Sequence, residues 1–302
     1  MVRGGREALA AREGTHMKLS TSRHGAVLAV ATLALTGAIG AVSTTTAPAA
    51  EAAPGMVRVI SHNIAKKPEA LTKVIQKSKS DRFPGAEVVF LQEVCQSMLP
   101  RIEEKLGKAS FHIRRDNQSD CSDNVIGEVV VYTDKNARVE RDAVDFNVEG
   151  EDQNYGMACL NFSYAGRSTR ACSTHLASGD GPAKNAMRLA STKVIRDKAR
   201  AWNKDLILVA GDFNREPMAR AMDYVYGVGP DARGDFREIT QSATGNEART
   251  GRFTIGKVKK NTDRKVDYIF GWKGHTRVNG GWVKTEFTPS NHRMLFGGVP
   301  LR

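Results

Sequence analysis

The stretch Asp205–Pro217, DLILVAGDFNREP, decides how the rest of the chain is read. Leu206-Ile207-Leu208-Val209 is an uninterrupted run of strand-forming apolar residues between Asp205 and Gly211. A run of that kind suits a strand buried on both faces at the centre of a sheet. It ends on Gly-Asp-Phe-Asn, which delivers Asp212 and Asn214 at the strand's C-terminal end. Two residues apart, these side chains project to the same face. A carboxylate and an amide held there could align a water and polarise a phosphate or carbonyl oxygen. An Asp-x-Asn turn closing a core strand would look the same.

Working outward, MVRVISH (residues 56–62) alternates as a strand and ends in Asn63. EVVFLQ (87–92) reads as another buried strand, with Glu93 at its end. Helical spacing of apolar residues predicts helices over Pro68–Lys79, Leu99–Leu106, Gly181–Trp202 and Met218–Tyr226. Phe111–Arg115 and Glu128–Thr133 read as short strands around a polar loop, Asp116–Asn124. After Tyr226, polar, Gly-rich sequence runs as far as Lys265, with little periodicity beyond Phe253-Thr254-Ile255. Val266–Trp272, Val278–Lys284 and Met294–Val299 complete the set of predicted strands. Strands alternate with helices early and come in hairpins late, so the fold class expected is α/β, with mixed sheets covered by helices.

Two strand-like runs, YGMACLNFSY and STRACSTHL, are joined by Ala165-Gly166-Arg167, a hairpin signal. Counting outward from Gly166, Cys159 and Cys172 fall seven and six residues away, nearly opposite each other. Four cysteines allow three pairings. The hairpin count favours Cys159–Cys172 and leaves Cys95–Cys121 by elimination.

The N-terminus reads differently. Lys18, Arg23 and His24 precede an apolar stretch from Ala26 to Val42, then small-residue cleavage candidates at Ala47-Pro48-Ala49 and Ala50-Glu51-Ala52. That is the layout of a secretory signal peptide, with residues 1–16 an upstream extension before Met17. An uncleaved anchor is the alternative. Residues 1–52 are therefore read as leader and 56–302 as one domain, secreted and without stable membrane insertion. Removing 1–52 takes away five Lys/Arg and three Asp/Glu, leaving 40 against 30, a net charge of +10. Such a charge favours an anionic partner such as nucleic acid, phospholipid or cell-wall polymer.

Several polar residues sit at strand ends, each ordinary alone: Asn63, Glu93, His175, Asp212 with Asn214, Asp267, and Asn291-His292. In this order, VISHNIA, FLQEV, STHLAS, VAGDFN, KVDYIF and SNHRMLF resemble the endonuclease/exonuclease/phosphatase superfamily, the DNase I-like hydrolases, over Val57–Leu301. The resemblance implies a four-layer α/β sandwich, two mixed β-sheets flanked by helices. It implies that Asn63, Glu93 and Asn291 lie at a divalent metal, usually Mg²⁺, with Mn²⁺ or Ca²⁺ as alternatives. It implies that His175 and His292 flank the scissile phosphate and that Asp212 and Asn214 align water and phosphate. Asp267 would orient His292, cast as the base, and Glu128 would be the carboxylate partner of His175.

Two departures stand out. Asn291 replaces the family's Asp in Ser-Asp-His, keeping the shape but losing a charge. Cys95 stands where DNase I carries an arginine that reaches DNA, so Lys66, Lys67 or Arg215 would have to grip the substrate. The expected activity is a secreted, metal-dependent phosphodiesterase, foremost a monomeric DNase I-like endonuclease on DNA or RNA. The alternatives are a sphingomyelinase-like activity on lipid headgroups, for which Trp272 and Trp282 would be the apolar contacts, or a binding protein that has lost catalysis.

Overall fold

The computed structural model describes residues 55–302 apart from 81–82, 84, 116–119, 152, 240–248, 252 and 257–263. The expected signal peptide and part of the loop 116–124 lie outside the described residues. Fifteen named elements organise the rest. They are β1 (Met56–Asn63), α1 (Pro68–Ser78), β2 (Val88–Cys95), α2 (Leu99–Lys105), β3 (Lys108–Arg115), β4 (Ile126–Tyr132), β5 (Val139–Asp145), β6 (Gly156–Tyr164), β7 (Arg167–His175), α3 (Pro182–Ala201), β8 (Leu206–Asp212), β9 (Phe236–Glu238), β10 (Asp267–Trp272), β11 (Trp282–Phe287) and β12 (Arg293–Pro300). No helix among the described residues is long and apolar enough to cross a membrane.

Two six-stranded sheets run β11-β12-β1-β2-β4-β3 and β5-β6-β7-β8-β10-β9. In each, one parallel pair sits at the centre, β1 with β2 and β7 with β8, and every other pairing is antiparallel. Strand periodicity builds the layers. Val88 and Phe90 join Leu206, Leu208 and Ala210 in the core between the sheets. The alternate residues Val89 and Leu91 pack outward with Leu71, Val74 and Ile102 of α1 and α2. On the other side Ile207 and Val209 face Ile195 and Ala199 of α3. Helices, sheet, sheet and helix make four layers, an α/β sandwich as expected from the chain's pattern.

The central stretch behaves as its apolar run demands, with Leu206–Asp212 buried throughout. Gly211 is required at its place. Its φ is +147° and a Cβ there would lie 1.9 Å from the carbonyl oxygen of Thr174. The hairpin count is met, since Cys159 pairs in register with Cys172. Both expected disulfides, Cys159–Cys172 and Cys95–Cys121, are formed.

Five stretches depart from expectation. β5 and β9 have no counterpart in the sequence reading, because VERDAVD is a largely exposed edge strand with little apolar alternation. The strand expected over 278–284 begins instead at Trp282, since Gly280 has φ +93° and turns the chain. The expected helix 218–226 shrinks to a short 3₁₀ turn, Arg220–Tyr224. Phe253-Thr254-Ile255 contributes only isolated bridges, Ile255 with Arg264 and with His292.

Candidate active site

The parallel pairs bring the C-terminal parts of four strands to one rim. β1 ends on Asn63, β7 on His175 and β8 on Asp212, and β2 reaches Glu93 two residues before its end. β10 runs antiparallel to β8, so its first residue, Asp267, lies beside Asp212. β12 is antiparallel to β1, so the turn preceding it returns His292 to the same rim. The two sheets are bolted together behind the rim by Gln92, whose amide donates to Ser173 Oγ at 2.9 Å.

Asp212 is the hub. Its Oδ2 accepts from the Asn63 amide at 3.2 Å and lies 3.3 Å from His175 Nε2 and 3.6 Å from His292 Nε2. Its Oδ1 accepts the backbone N–H of Asn214 at 2.8 Å, closing the Asp-x-Asn turn. That turn puts Asn214 at φ +51° and aims its amide Nδ2 at the Leu176 carbonyl, 3.0 Å away, and at His175 Nε2, 2.9 Å away. Tyr268 holds the following residue, its hydroxyl donating to the Arg215 carbonyl at 2.6 Å.

Glu93 reaches the site through an irregularity in its strand. Leu91 pairs with Val129 and Val94 with Gly127, so Gln92 and Glu93 together face Glu128 alone. This is a β-bulge, and Glu93 takes φ +52° within it. The carboxylate so directed accepts from Asn63 Nδ2 at 3.1 Å.

His292 is held by Asp267, whose two oxygens lie 3.0 and 3.1 Å from Nδ1. Asp267 is itself fixed by Thr254, whose Oγ1 accepts the backbone N–H groups of Val266 and Asp267 at 3.0 Å each. Burial by itself would push the His292 pKa down, but the facing carboxylates of Asp267 and Asp212 raise it to about 10. Burial raises Asp212 to about 7, helped by Asp267 and opposed by His292. His175 moves the other way. Burial, the Arg114 guanidinium and His292 hold it well below the ordinary imidazole range.

The structure therefore gathers Asn63, Glu93, His175, Asp212, Asn214, Asp267 and His292. It does not gather Asn291, whose side chain is exposed and has no hydrogen bond to these groups among the described residues. The turn Thr288–Ser290 is tied inward instead, Ser290 Oγ donating to the Asn63 carbonyl at 2.7 Å. Glu128 is fully buried, but it stands 3.9 Å from His175 Nδ1, beyond hydrogen-bond reach. Arg114 takes that place at 2.7 Å and is the residue missing from the sequence reading. Its signal was the alternation Ser110-His112-Arg114, which puts three polar side chains on one face of β3.

Glu93 and Asp212 offer hard oxygen donors, and at present the Asn63 N–H bridges them. Two carboxylates converging on a partial positive charge, with an amide oxygen able to turn inward, suit a divalent cation such as Mg²⁺. Asn63 and Glu93 would hold it. Asp212, Asp267 and His292 also cluster, their nearest donor atoms within 4.8 Å of one another. There, however, both imidazole nitrogens face carboxylates, so the imidazolium supplies the positive charge and leaves no lone pair for a metal.

The supposed substrate-gripping cations are partly engaged. Lys66 pairs with Asp120 at 2.9 Å, Lys67 donates to the Pro289 carbonyl at 2.9 Å, and Arg215 contacts Asp180 and Asn185. Trp272 packs edge-on against Phe236, and Trp282 against Phe83 and Phe296.

Comparison with known proteins agrees with this geometry. No curated protein matches the sequence. Among solved structures, an endonuclease/exonuclease/phosphatase from Beutenbergia cavernae superposes with a TM-score of 0.61 at 16% identity, covering 82% of this chain and 72% of that one. The human nocturnin catalytic domain, solved with a bound sulfate anion, gives 0.60 at 15% identity over 82% and 94%. Truncated Caenorhabditis elegans TDP2 gives 0.58 at 19% identity over 81% and 97%. At these identities the likenesses speak for the fold alone. The sequence profile of the Endonuclease/Exonuclease/phosphatase family, in contrast, matches residues 60–292. With the motifs in order, the sandwich and the rim of polar strand ends, the chain belongs to the endonuclease/exonuclease/phosphatase family.

Proposed function

We propose that this protein is a secreted, divalent-metal-dependent phosphodiesterase whose substrate is DNA, cut internally. The observation that carries the reading is the convergence of Asn63, His175 and His292 on one buried carboxylate, Asp212, with Glu93 alongside. Hydrolysing a phosphodiester requires an activated water, neutralised charge on the non-bridging oxygens and a stabilised leaving alkoxide. Bound by Asn63 and Glu93, Mg²⁺ would supply the second of these as a Lewis acid.

The chain's own groups divide the remaining work. Asp212, with a pKa raised to about 7, is poised to take a proton from water at neutral pH, with Asn214 orienting it. His292 is held as an imidazolium and suits a proton donor or a charge partner for the phosphoryl oxygens. This reverses the base's part given to His292 by resemblance. The reason is that Asp267, in fixing the ring, also secures its second proton. A cation beside Glu93 would lower both pKa values, and the assignment rests on the gap between them.

Nucleic acid is favoured over lipid because phosphate contacts supply most non-specific affinity and the chain without residues 1–52 is strongly basic, 40 Lys/Arg against 30 Asp/Glu. Trp272 and Trp282 are partly buried and each stacks edge-on against core phenylalanines, which weakens the aromatic pair that a lipid-surface reading would have used. Exposed Met218 and Phe253 keep that reading as a second arm of the test. Two disulfides suit an oxidising compartment and support secretion.

The test is incubation of purified residues 53–302 with supercoiled plasmid, RNA and sphingomyelin vesicles, each with Mg²⁺ or with EDTA. Nicking of plasmid with Mg²⁺ and none with EDTA is expected. Turnover of sphingomyelin alone would replace the substrate assignment, and no turnover of any substrate would leave a binding protein on this fold.

A further inference from the structure

Behind His175 lies a buried file of charged groups that the reaction as described does not use. Asp145 Oδ1 is 2.9 Å from His112 Nε2, and His112 Nδ1 is 3.3 Å from Glu128 Oε2. Glu128 Oε1 is 3.4 Å from Arg114 Nε, and Arg114 Nη1 is 2.7 Å from His175 Nδ1. His112, Glu128, Arg114 and His175 are all buried, and Asp145 closes the file at the half-exposed end. A carboxylate on each imidazole nitrogen raises the His112 pKa against the opposing effect of burial. The signs then alternate from acid to imidazolium, acid and guanidinium, which lets the file be buried without net charge.

Local structure is shaped to make this file. Ile113 pairs with Gly127 and Arg115 with Ile126, so Arg114 is an extra residue bulged out of β3. Bulges beside active sites re-aim side chains, and this one turns the guanidinium towards His175. Gly156 makes room for the His112 ring, because a Cβ there would lie 2.4 Å from Nε2.

The identity of the group on Nδ1 decides what His175 can do. A guanidinium has donors only and keeps its protons, so Nδ1 must present its lone pair. Asn214 Nδ2 is a second donor, at 2.9 Å from Nε2, and both nitrogens cannot accept in a neutral ring. Arg114 is the nearer and is charged, whereas Asn214 has the Leu176 carbonyl to satisfy it. The ring proton therefore sits on Nε2, directed at Asp212 Oδ2, 3.3 Å away.

We propose that Arg114 is a positioning residue that fixes His175 as the neutral Nε2–H tautomer, a hydrogen-bond donor to a non-bridging phosphoester oxygen, and that Glu128, shared with His112, holds the guanidinium in place. The two histidines of the site are thus set in opposite states, His292 charged by carboxylates and His175 neutral under a guanidinium. The donor role rests on the phosphodiesterase reading, whereas the tautomer does not.

The experiment is imidazole ¹⁵N–¹H multiple-bond NMR on metal-free, substrate-free protein, with kcat and KM on plasmid measured separately. Wild-type His175 is expected as Nε2–H, without titration between pH 5 and 9. In Arg114→Met, Glu128 is free to take Nδ1–H, so the tautomer switches and His175 titrates within that range. kcat should fall about 10-fold or more with KM within a factor of about two. Arg114→Lys, which keeps a cationic donor, should restore the wild-type tautomer and part of kcat. If Arg114→Met does not fold, the Arg114→Met/Glu128→Gln double variant removes both charges together and should show a His175 ring no longer held as Nε2–H alone. A wild-type His175 carrying Nδ1–H, or a tautomer unchanged in every Arg114 variant, overturns the assignment whether or not the protein is active. The expected tautomers in a protein that cleaves no phosphodiester would uphold Arg114's hold on His175 and overturn the phosphodiesterase reading instead.

Discussion

Replacing Asp267 by Asn should uncouple the charge of His292 from its position. The pKa of His292 stands at about 10, well above the ordinary imidazole range, because Asp267 and Asp212 face the ring. Asp267 acts on it through both charge and a hydrogen bond, and its charge outweighs that of Asp212, so it supplies more than half of the lift. The full lift exceeds the net one because burial opposes it. Asn at 267 keeps the shape and one acceptor, so the ring stays in place while its pKa falls by at least one unit, about 1.4 kcal/mol. Stability carries the same signature. A histidine whose folded pKa is raised stabilises fully below about pH 6.5 and loses that contribution as pH rises towards 10. Above pH 7.5, wild-type unfolding free energy should therefore decline by up to about 1.4 kcal/mol per pH unit from this group. In Asp267→Asn the decline should end at a lower pH than in the wild type. NMR titration of His292 in EDTA and urea unfolding at pH 7.5, 8.5 and 9.5 measure the two effects. A His292 pKa in the variant within one unit of wild type would refute the reasoning.

Other expectations follow from the same geometry. Glu93→Gln should abolish Mg²⁺ binding by calorimetry and metal-dependent cleavage while shifting the urea midpoint little, since Glu93 is only partly buried; unchanged Mg²⁺ affinity would remove it from the metal. Asn291→Asp should alter Mg²⁺ affinity less than about twofold, because a carboxylate at this exposed position is screened by water; a tenfold gain would put residue 291 at the metal after all. Cys159→Ala/Cys172→Ala should lose about 3 kcal/mol in urea unfolding on the chain-entropy account of a bridge spanning 13 residues. Non-reducing peptide mapping should recover Cys159 linked to Cys172 and Cys95 linked to Cys121. Gly211→Ala should express poorly or unfold at markedly lower urea, because its Cβ has no room against Thr174.

Much of the site was legible because its residues sit at ends of strands whose cores are apolar. Leu206–Val209 and Glu87–Gln92 could be read as strands from short apolar runs bounded by polar and Gly residues, although the second extends to Cys95 through its bulge. The Cys159–Cys172 bridge followed from counting along a hairpin, where register is local. Edge strands were lost for the opposite reason. VERDAVD, exposed and charged, carries no pattern that separates it from a loop, and only pairing with β6 makes it a strand.

The sequence by itself determined which polar residues stand at strand ends and in what order. The tertiary structure decided which of them meet and in what charge state. Asn291 belongs to the same motif as His292, yet the turn shows its side chain to solvent. Glu93 needs a bulge and a positive φ to face Asn63, and nothing in FLQEV announces either. His175 and His292 are indistinguishable as letters. A carboxylate 25 residues away charges one, and burial together with a guanidinium 61 residues away keeps the other neutral. Protonation depends on burial and on the groups within a few ångströms, and both are fixed only when distant strands are brought together.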